Sequence, residues 1–158
     1  MPSFLDLLKS PVLFFAFGFG SGLAKKAPGT WGTLAGIPVY ALLIYFSPNN
    51  FVYIGITLLC FIVGVWICDQ AEKKLGLHDP GNIVWDEIVG LMVTMTFLPA
   101  TYPWIIAGFV VFRFFDILKP WPIKWFDQRC PGGFGVMVDD VIAGVIACAI
   151  LNGVVWLL

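Results

Sequence analysis

Every charged residue in this chain falls in a short cluster, and the stretches between clusters carry no charge over lengths that match a lipid bilayer. Residues 10–24, 27–68, 88–112 and 141–158 contain no Asp, Glu, Lys or Arg. About 20 apolar residues cross a bilayer as a helix. In lipid, every backbone polar group must be satisfied within the protein, so long apolar runs of this kind read as helices. Composition agrees. Charged residues make up 12% of the chain and hydrophobic residues 59%, against about 25% charged in a soluble domain. The expected fold class is all-α: one membrane-embedded domain over residues 1–158.

Turn chemistry divides the apolar runs. The stretch 27–68 holds two spans, 31–46 and 51–68, separated by Ser47-Pro48-Asn49-Asn50. The next is broken by Leu98-Pro99-Ala100-Thr101-Tyr102-Pro103, giving a second hairpin of 85–98 and 104–118. A last helix runs from residue 141 to the C-terminus. The expectation is a helical bundle with four to five transmembrane helices, several of them short. Residues 10–24 begin and end beside charges and are too few to cross and return, so they form a re-entrant or interfacial helix. This run does not read as a cleaved signal peptide, since no small-residue cleavage site ends it. Trp31, Tyr45, Tyr53, Tyr102, Trp104 and Trp156 lie near span ends, where amphipathic rings favour the interface.

The hairpin turns are uncharged. Lys25, Lys26, Lys73, Lys74, Arg113, Lys119, Lys124 and Arg129 therefore share one face, cytoplasmic by the positive-inside rule, and the acids and His78 share it. A transporter keeps polar groups near the midplane; these spans offer almost none. Chemistry is expected at the cytoplasmic interface, on something the bilayer presents there. A net charge of -1 and the lack of a basic run give no attraction to nucleic acid. The four cysteines lack C-x-x-C spacing, and Cys60, Cys68 and Cys148 sit in apolar stretches as small buried hydrophobes.

Four constellations carry the polar chemistry. Asp86 and Glu87 follow Asn82-Ile83-Val84-Trp85 into a span. They read as a helix-start signal favoured by the dipole or as metal ligands or a general base. Arg113, Asp116 and Lys119 are spaced by three and share a helix face, either as an ion pair at a helix end or as a metal-binding carboxylate beside phosphate-holding cations. Gly132-Gly133-Phe134-Gly135 precedes Asp139 and Asp140. It reads as a loop whose amides approach a ligand, followed by a helix-capping acid or a hard-cation site. Lys25-Lys26-Ala27-Pro28-Gly29-Thr30 reads as a turn and a helix N-terminus, a ready anion site, or as lysines meeting anionic headgroups. His78 reads as incidental.

Five acids from three segments on one face, with cations and a glycine-rich stretch, suit metal-assisted phosphoryl chemistry. Other phosphatase chemistries lack their parts. There is no D-x-D, a single histidine, and no cysteine followed six residues later by arginine.

The stretches KKAPGTWGTLAGIP (25–38), NIVWDEIVG (82–90), RFFDILKPWPIKWFD (113–127) and GGFGVMVDDVIAG (132–144) resemble the phosphatidylglycerophosphatase A family, in order and over most of the chain. The resemblance implies a magnesium-dependent lipid phosphatase of the bacterial inner membrane that converts phosphatidylglycerol phosphate to phosphatidylglycerol at the cytoplasmic face. Asp86, Glu87, Asp116, Asp139 and Asp140 would be the metal-binding and catalytic residues. Lys25, Thr30, Arg113 and Lys119 would orient phosphate. A small transporter or ion-translocating protein is the alternative, and a structural membrane subunit a third reading.

Overall fold

The computed structural model describes residues 2–77 and 80–158, the side chains of residues 127 and 128 excepted. His78 therefore lies outside the described residues. The described chain is helical: α1 (Phe4–Leu8), α2 (Pro11–Ala16), a 3₁₀ segment (Gly18–Leu23), α3 (Pro28–Phe46), α4 (Asn50–Leu75), α5 (Trp85–Thr94), α6 (Tyr102–Leu118), α7 (Ile123–Arg129) and α8 (Gly132–Leu157). Among the described residues, α3, α4 and α8 are each long and apolar enough to cross a membrane. At 1.5 Å per residue α4 and α8 are each about 39 Å long and α3 about 29 Å.

The first hairpin forms where the turn chemistry placed it. Asn49 caps α4, its Oδ1 accepting from the Val52 N–H at 3.0 Å. The α4 helix runs on past Cys68 to Leu75, with Lys73 and Lys74 in its last turn, where cations favour the dipole, and ends at Gly76 with φ 65°.

The second hairpin differs from its expected bounds. The α5 helix stops at Thr94, about 15 Å from its start, and α6 begins two residues early, at Tyr102. Stopping a helix inside lipid frees carbonyls that water cannot satisfy. Distant side chains meet them. The Tyr53 hydroxyl donates to the Met92 carbonyl at 2.6 Å, and the Asn152 amide donates to the Thr96 carbonyl at 3.0 Å. Tyr53 is thus only 3% exposed and cannot be the interfacial anchor expected of it. Tyr45, Tyr102 and Trp156 are 81%, 85% and 90% exposed, as an aromatic belt requires.

The glycine-rich stretch is a larger departure. Residues 132–135 are the first turn of α8, after Pro131, so they form no loop, and Asp139 and Asp140 lie two turns inside the helix, where neither caps it. The cause is packing. A Cβ at Gly133 would run into the Val65 carbonyl and the Asp69 amide of α4. Small residues here let two membrane helices approach closely.

Residues 10–24 do not cross. The α2 helix ends at Ala16, and left-handed Gly18, Phe19 and Gly20 break the path. Both ends return to the charged side. The Lys74 Nζ donates to Ser10 Oγ at 2.8 Å, and the Asn82 amide donates to the Gly22 carbonyl at 2.5 Å.

Candidate active site at the charged end of the bundle

Four helices deliver the polar residues. Asp86 and Glu87 occupy the first turn of α5, where the helix dipole favours negative charge. Arg113 and Asp116 come from the last turns of α6, and Asp139 and Asp140 lie two turns into α8. The first turn of α3 brings Gly29 against them. A Cβ on Gly29 would overlap Glu87 Oε1 and lie 3.1 Å from both terminal nitrogens of Arg113. Pro28 at the first helical position and left-handed Ala27 set that close approach.

Three of the five acids meet at this point. One carboxylate oxygen from each of Asp86, Glu87 and Asp140 lies within 4.8 Å of the other two. Asp116 joins them through Arg113, which pairs with it and stands near Glu87, and Asp139 adjoins Asp140 on α8. Asp86, Asp116, Asp139 and Asp140 are between 3% and 9% exposed.

Two cations enter. The Arg113 guanidinium pairs with Asp116 and stands 3.7 Å from Glu87. Lys119 Nζ reaches Asp139 Oδ2 at 2.5 Å. The spacing of three expected Lys119 on the Asp116 face. Instead α6 ends there with Lys119 in the left-handed conformation (φ 41°), which turns its side chain toward α8.

Thr30 lies half-buried in the first turn of α3, next to Gly29. Lys25 is exposed, five residues before it and outside the ion pairs of the site.

The sequence reading missed a contribution from α4. Cys68 is fully buried and within electrostatic range of Asp86, Glu87, Asp140 and Glu72. Glu72, one turn on, is 8% exposed. The i, i+4 spacing of Cys68 and Glu72 was the available signal, but it lay beyond the apparent end of the span.

Burying carboxylates of one sign together costs several kcal/mol per ion unless protons or cations compensate. Among the described residues the five acids meet two cations, and Asp86 Oδ1, Glu87 Oε2 and Asp140 Oδ2 are buried without a hydrogen-bond donor. Such orphan oxygens are what a divalent cation takes up. The donor set is all oxygen, which suits magnesium, a cation that also keeps waters and phosphate oxygens in its shell. Below the acids the bundle is closed by Ile88, Val89, Leu91 and Met92, all fully buried. The polar chemistry is confined to one end.

Comparison with known proteins identifies the family. A family model described as phosphatidylglycerophosphatase A matches residues 14–155. A phosphatidylglycerophosphatase A of Escherichia coli K12 is 44% identical, covering 96% of this chain and 91% of that protein. One of Haemophilus influenzae is 42% identical over 96% and 93%. A Bacteroides thetaiotaomicron protein, named provisionally as a phosphatidylinositol-3-phosphatase, is 34% identical over 99% and 98%. No solved structure matches the chain.

Proposed function

Because this chain belongs to the phosphatidylglycerophosphatase A family, we propose that it hydrolyses the phosphomonoester of phosphatidylglycerol phosphate, releasing phosphatidylglycerol and phosphate at the cytoplasmic face of the bacterial inner membrane. One observation carries the reading. The carboxylates of Asp86, Glu87 and Asp140 cluster, with Asp116 held by Arg113 and Asp139 by Lys119, at one end of an otherwise apolar bundle. A phosphate monoester on a lipid is delivered to that depth by the bilayer itself. The side assignment follows from the shared face of the lysines and arginines.

Asp86, Glu87 and Asp140 would hold magnesium, with Asp116 and Asp139 beside them. The chemistry it supplies when bound is neutralisation of phosphate charge and acidification of the attacking water. The protein's own groups do the rest. Arg113 is placed to grip phosphate oxygens in a forked geometry. The first turn of α3, with Thr30, adds donors on the side where Gly29 lets that helix approach Glu87 and Arg113. Lys119 holds Asp139 and adds positive charge, and exposed Lys25 draws the anionic headgroup inward. A carboxylate of the set takes the proton of the attacking water. The carboxylic acid so formed passes that proton to the departing glycerol oxygen as the P–O bond breaks, so the products are a neutral alcohol and hydrogen phosphate.

The test is phosphate release from phosphatidylglycerol phosphate by the purified protein in detergent, with magnesium and then with EDTA. Release that requires the metal is the expected result. No release from folded protein in either condition would overturn the reading.

A further inference from the structure

The first turn of α5 carries Asp86 and Glu87, yet its N-cap residue, Val84, makes no side-chain hydrogen bond to hold that helix start. One oxygen of each acid also lies within 4.8 Å of an Asp140 oxygen, and buried carboxylates of one sign repel until a cation binds. Something outside α5 must therefore fix where the two carboxylates stand.

The non-crossing segment 10–24 does so. Where α2 ends, the Ala16 carbonyl accepts from the Val84 N–H at 2.8 Å and satisfies an amide at the start of α5. Six residues on, the Gly22 carbonyl accepts from the Asn82 side-chain amide at 2.5 Å. Both carbonyls reach α5 because the chain doubles back between them. Gly18, Phe19 and Gly20 are left-handed, with φ 51°, 60° and 101°. The Gly20 and Gly22 N–H groups both turn onto the Phe17 carbonyl, at 2.9 and 3.0 Å, and Ser21 Oγ donates to the Gly18 carbonyl at 2.8 Å. Of the three left-handed residues, Phe19 is the one for which that conformation is costly, and its ring packs edge-on against Trp85.

The residues leading into α5 are keyed to their surroundings one by one. Val84 is fully buried, and a Cβ at Gly18 or Gly32 would stand 2.8 or 2.5 Å from its side chain. The Trp85 indole N–H donates to the Cys60 carbonyl at 3.2 Å, and Phe15 joins Phe19 at the edge of its ring. Asn82 is the polar member of the set and is half-buried.

We infer that the segment 10–24 is a positioning element of the active site: it fixes the Asp86–Glu87 pair through the start of α5, and Asn82 is the positioning residue that fastens the two together. This rests on the magnesium reading of the acid cluster and adds what holds two of its ligands in place before the cation arrives. Ligands already held lose less freedom on binding, so the Asn82 hydrogen bond is expressed as cation affinity.

The test is uptake of Mn²⁺, which takes the same oxygen ligands, by the purified full chain in detergent, read from the electron paramagnetic resonance signal of the free ion. The kcat and KM for phosphatidylglycerol phosphate are measured on the same preparations at saturating magnesium. Asn82→Ala removes one hydrogen bond at a half-buried position. Its Kd for Mn²⁺ should rise about fivefold, the equivalent of about 1 kcal/mol. Its kcat should fall with KM unchanged, since Arg113 and Lys119 remain on α6 to hold phosphate. Ser21→Ala loosens the bend without touching α5 and should raise the same Kd by a smaller factor. A wild-type Kd in both variants overturns the inference whatever happens to kcat, because a merely structural contact changes how much protein is folded and not how tightly the folded site binds. A wild-type protein that takes up no Mn²⁺ overturns the magnesium reading and this inference with it. Hydrogen exchange in EDTA supplies a readout without metal. Amides of residues 84–88 should exchange faster in Asn82→Ala, and those of residues 139–147 at the wild-type rate; equal acceleration of both segments overturns the positioning role.

Discussion

Gly29→Ala should silence this protein while leaving it folded. The added methyl would overlap Glu87 Oε1 and stand 3.1 Å from the Arg113 guanidinium nitrogens. Those atoms are the far ends of two flexible side chains, so they yield before the backbone does. Restoring van der Waals distance displaces the Glu87 carboxylate by roughly 1 Å, and a misplacement of that size at a catalytic group costs about 100-fold in rate. The effect on stability is small. Alanine favours a helix over glycine by about 0.5–1 kcal/mol, which offsets most of the side-chain rearrangement. Gly55→Ala is the matched control, since nothing lies within 4 Å of a Cβ there and the site is remote. Both variants are assayed for magnesium-stimulated phosphate release and for thermal unfolding in detergent. Gly55→Ala should match the wild type in rate. A Gly29→Ala protein with full activity would refute the placement of Glu87 and Arg113 in the working site. One that fails to fold would refute the claim that only side-chain ends must move.

Asp86→Asn and Asp139→Asn should each abolish phosphate release while insertion into membranes, read by extraction and protease protection, is unchanged. Asp86→Asn removes one of several buried like charges, so in EDTA this variant should unfold at a higher temperature than the wild type, by differential scanning fluorimetry. Magnesium should raise the wild-type unfolding temperature in a concentration-dependent manner and have no such effect on Asp140→Asn; an equal shift in both would place the cation elsewhere. Tyr53→Phe removes the donor to the Met92 carbonyl and should cost about 1–3 kcal/mol of stability, measured by thermal unfolding, with kcat unchanged.

The charge pattern in the sequence was enough to find the membrane bundle and the end at which its acids gather, and the turn residues 47–50 to find the first hairpin, because charges in a bilayer protein are confined by a large energy and leave a coarse trace. What stayed hidden depended on neighbours far along the chain. The stop of α5 at Thr94 has no local punctuation. It is held by Tyr53 and Asn152, side chains that no window around residue 94 contains. Gly132, Gly133 and Gly135 read as a loop on composition alone. Their helical state follows from the nearness of α4, against which a side chain at residue 133 would not fit. Lys119 shows the same limit. Spacing placed it beside Asp116, and the left-handed end of α6 sent it to Asp139.

The pocket draws on α3, α5, α6 and α8, and the last of these supplies Asp139 and Asp140. A chain made from its N-terminus therefore carries Glu87 and Arg113 into place before their remaining partners exist. Without α8 the cluster lacks Asp139 and Asp140 and the helix that packs against α4, α5 and α6. Assembly of the site therefore waits on α8, whose insertion brings the last two carboxylates to the charged end.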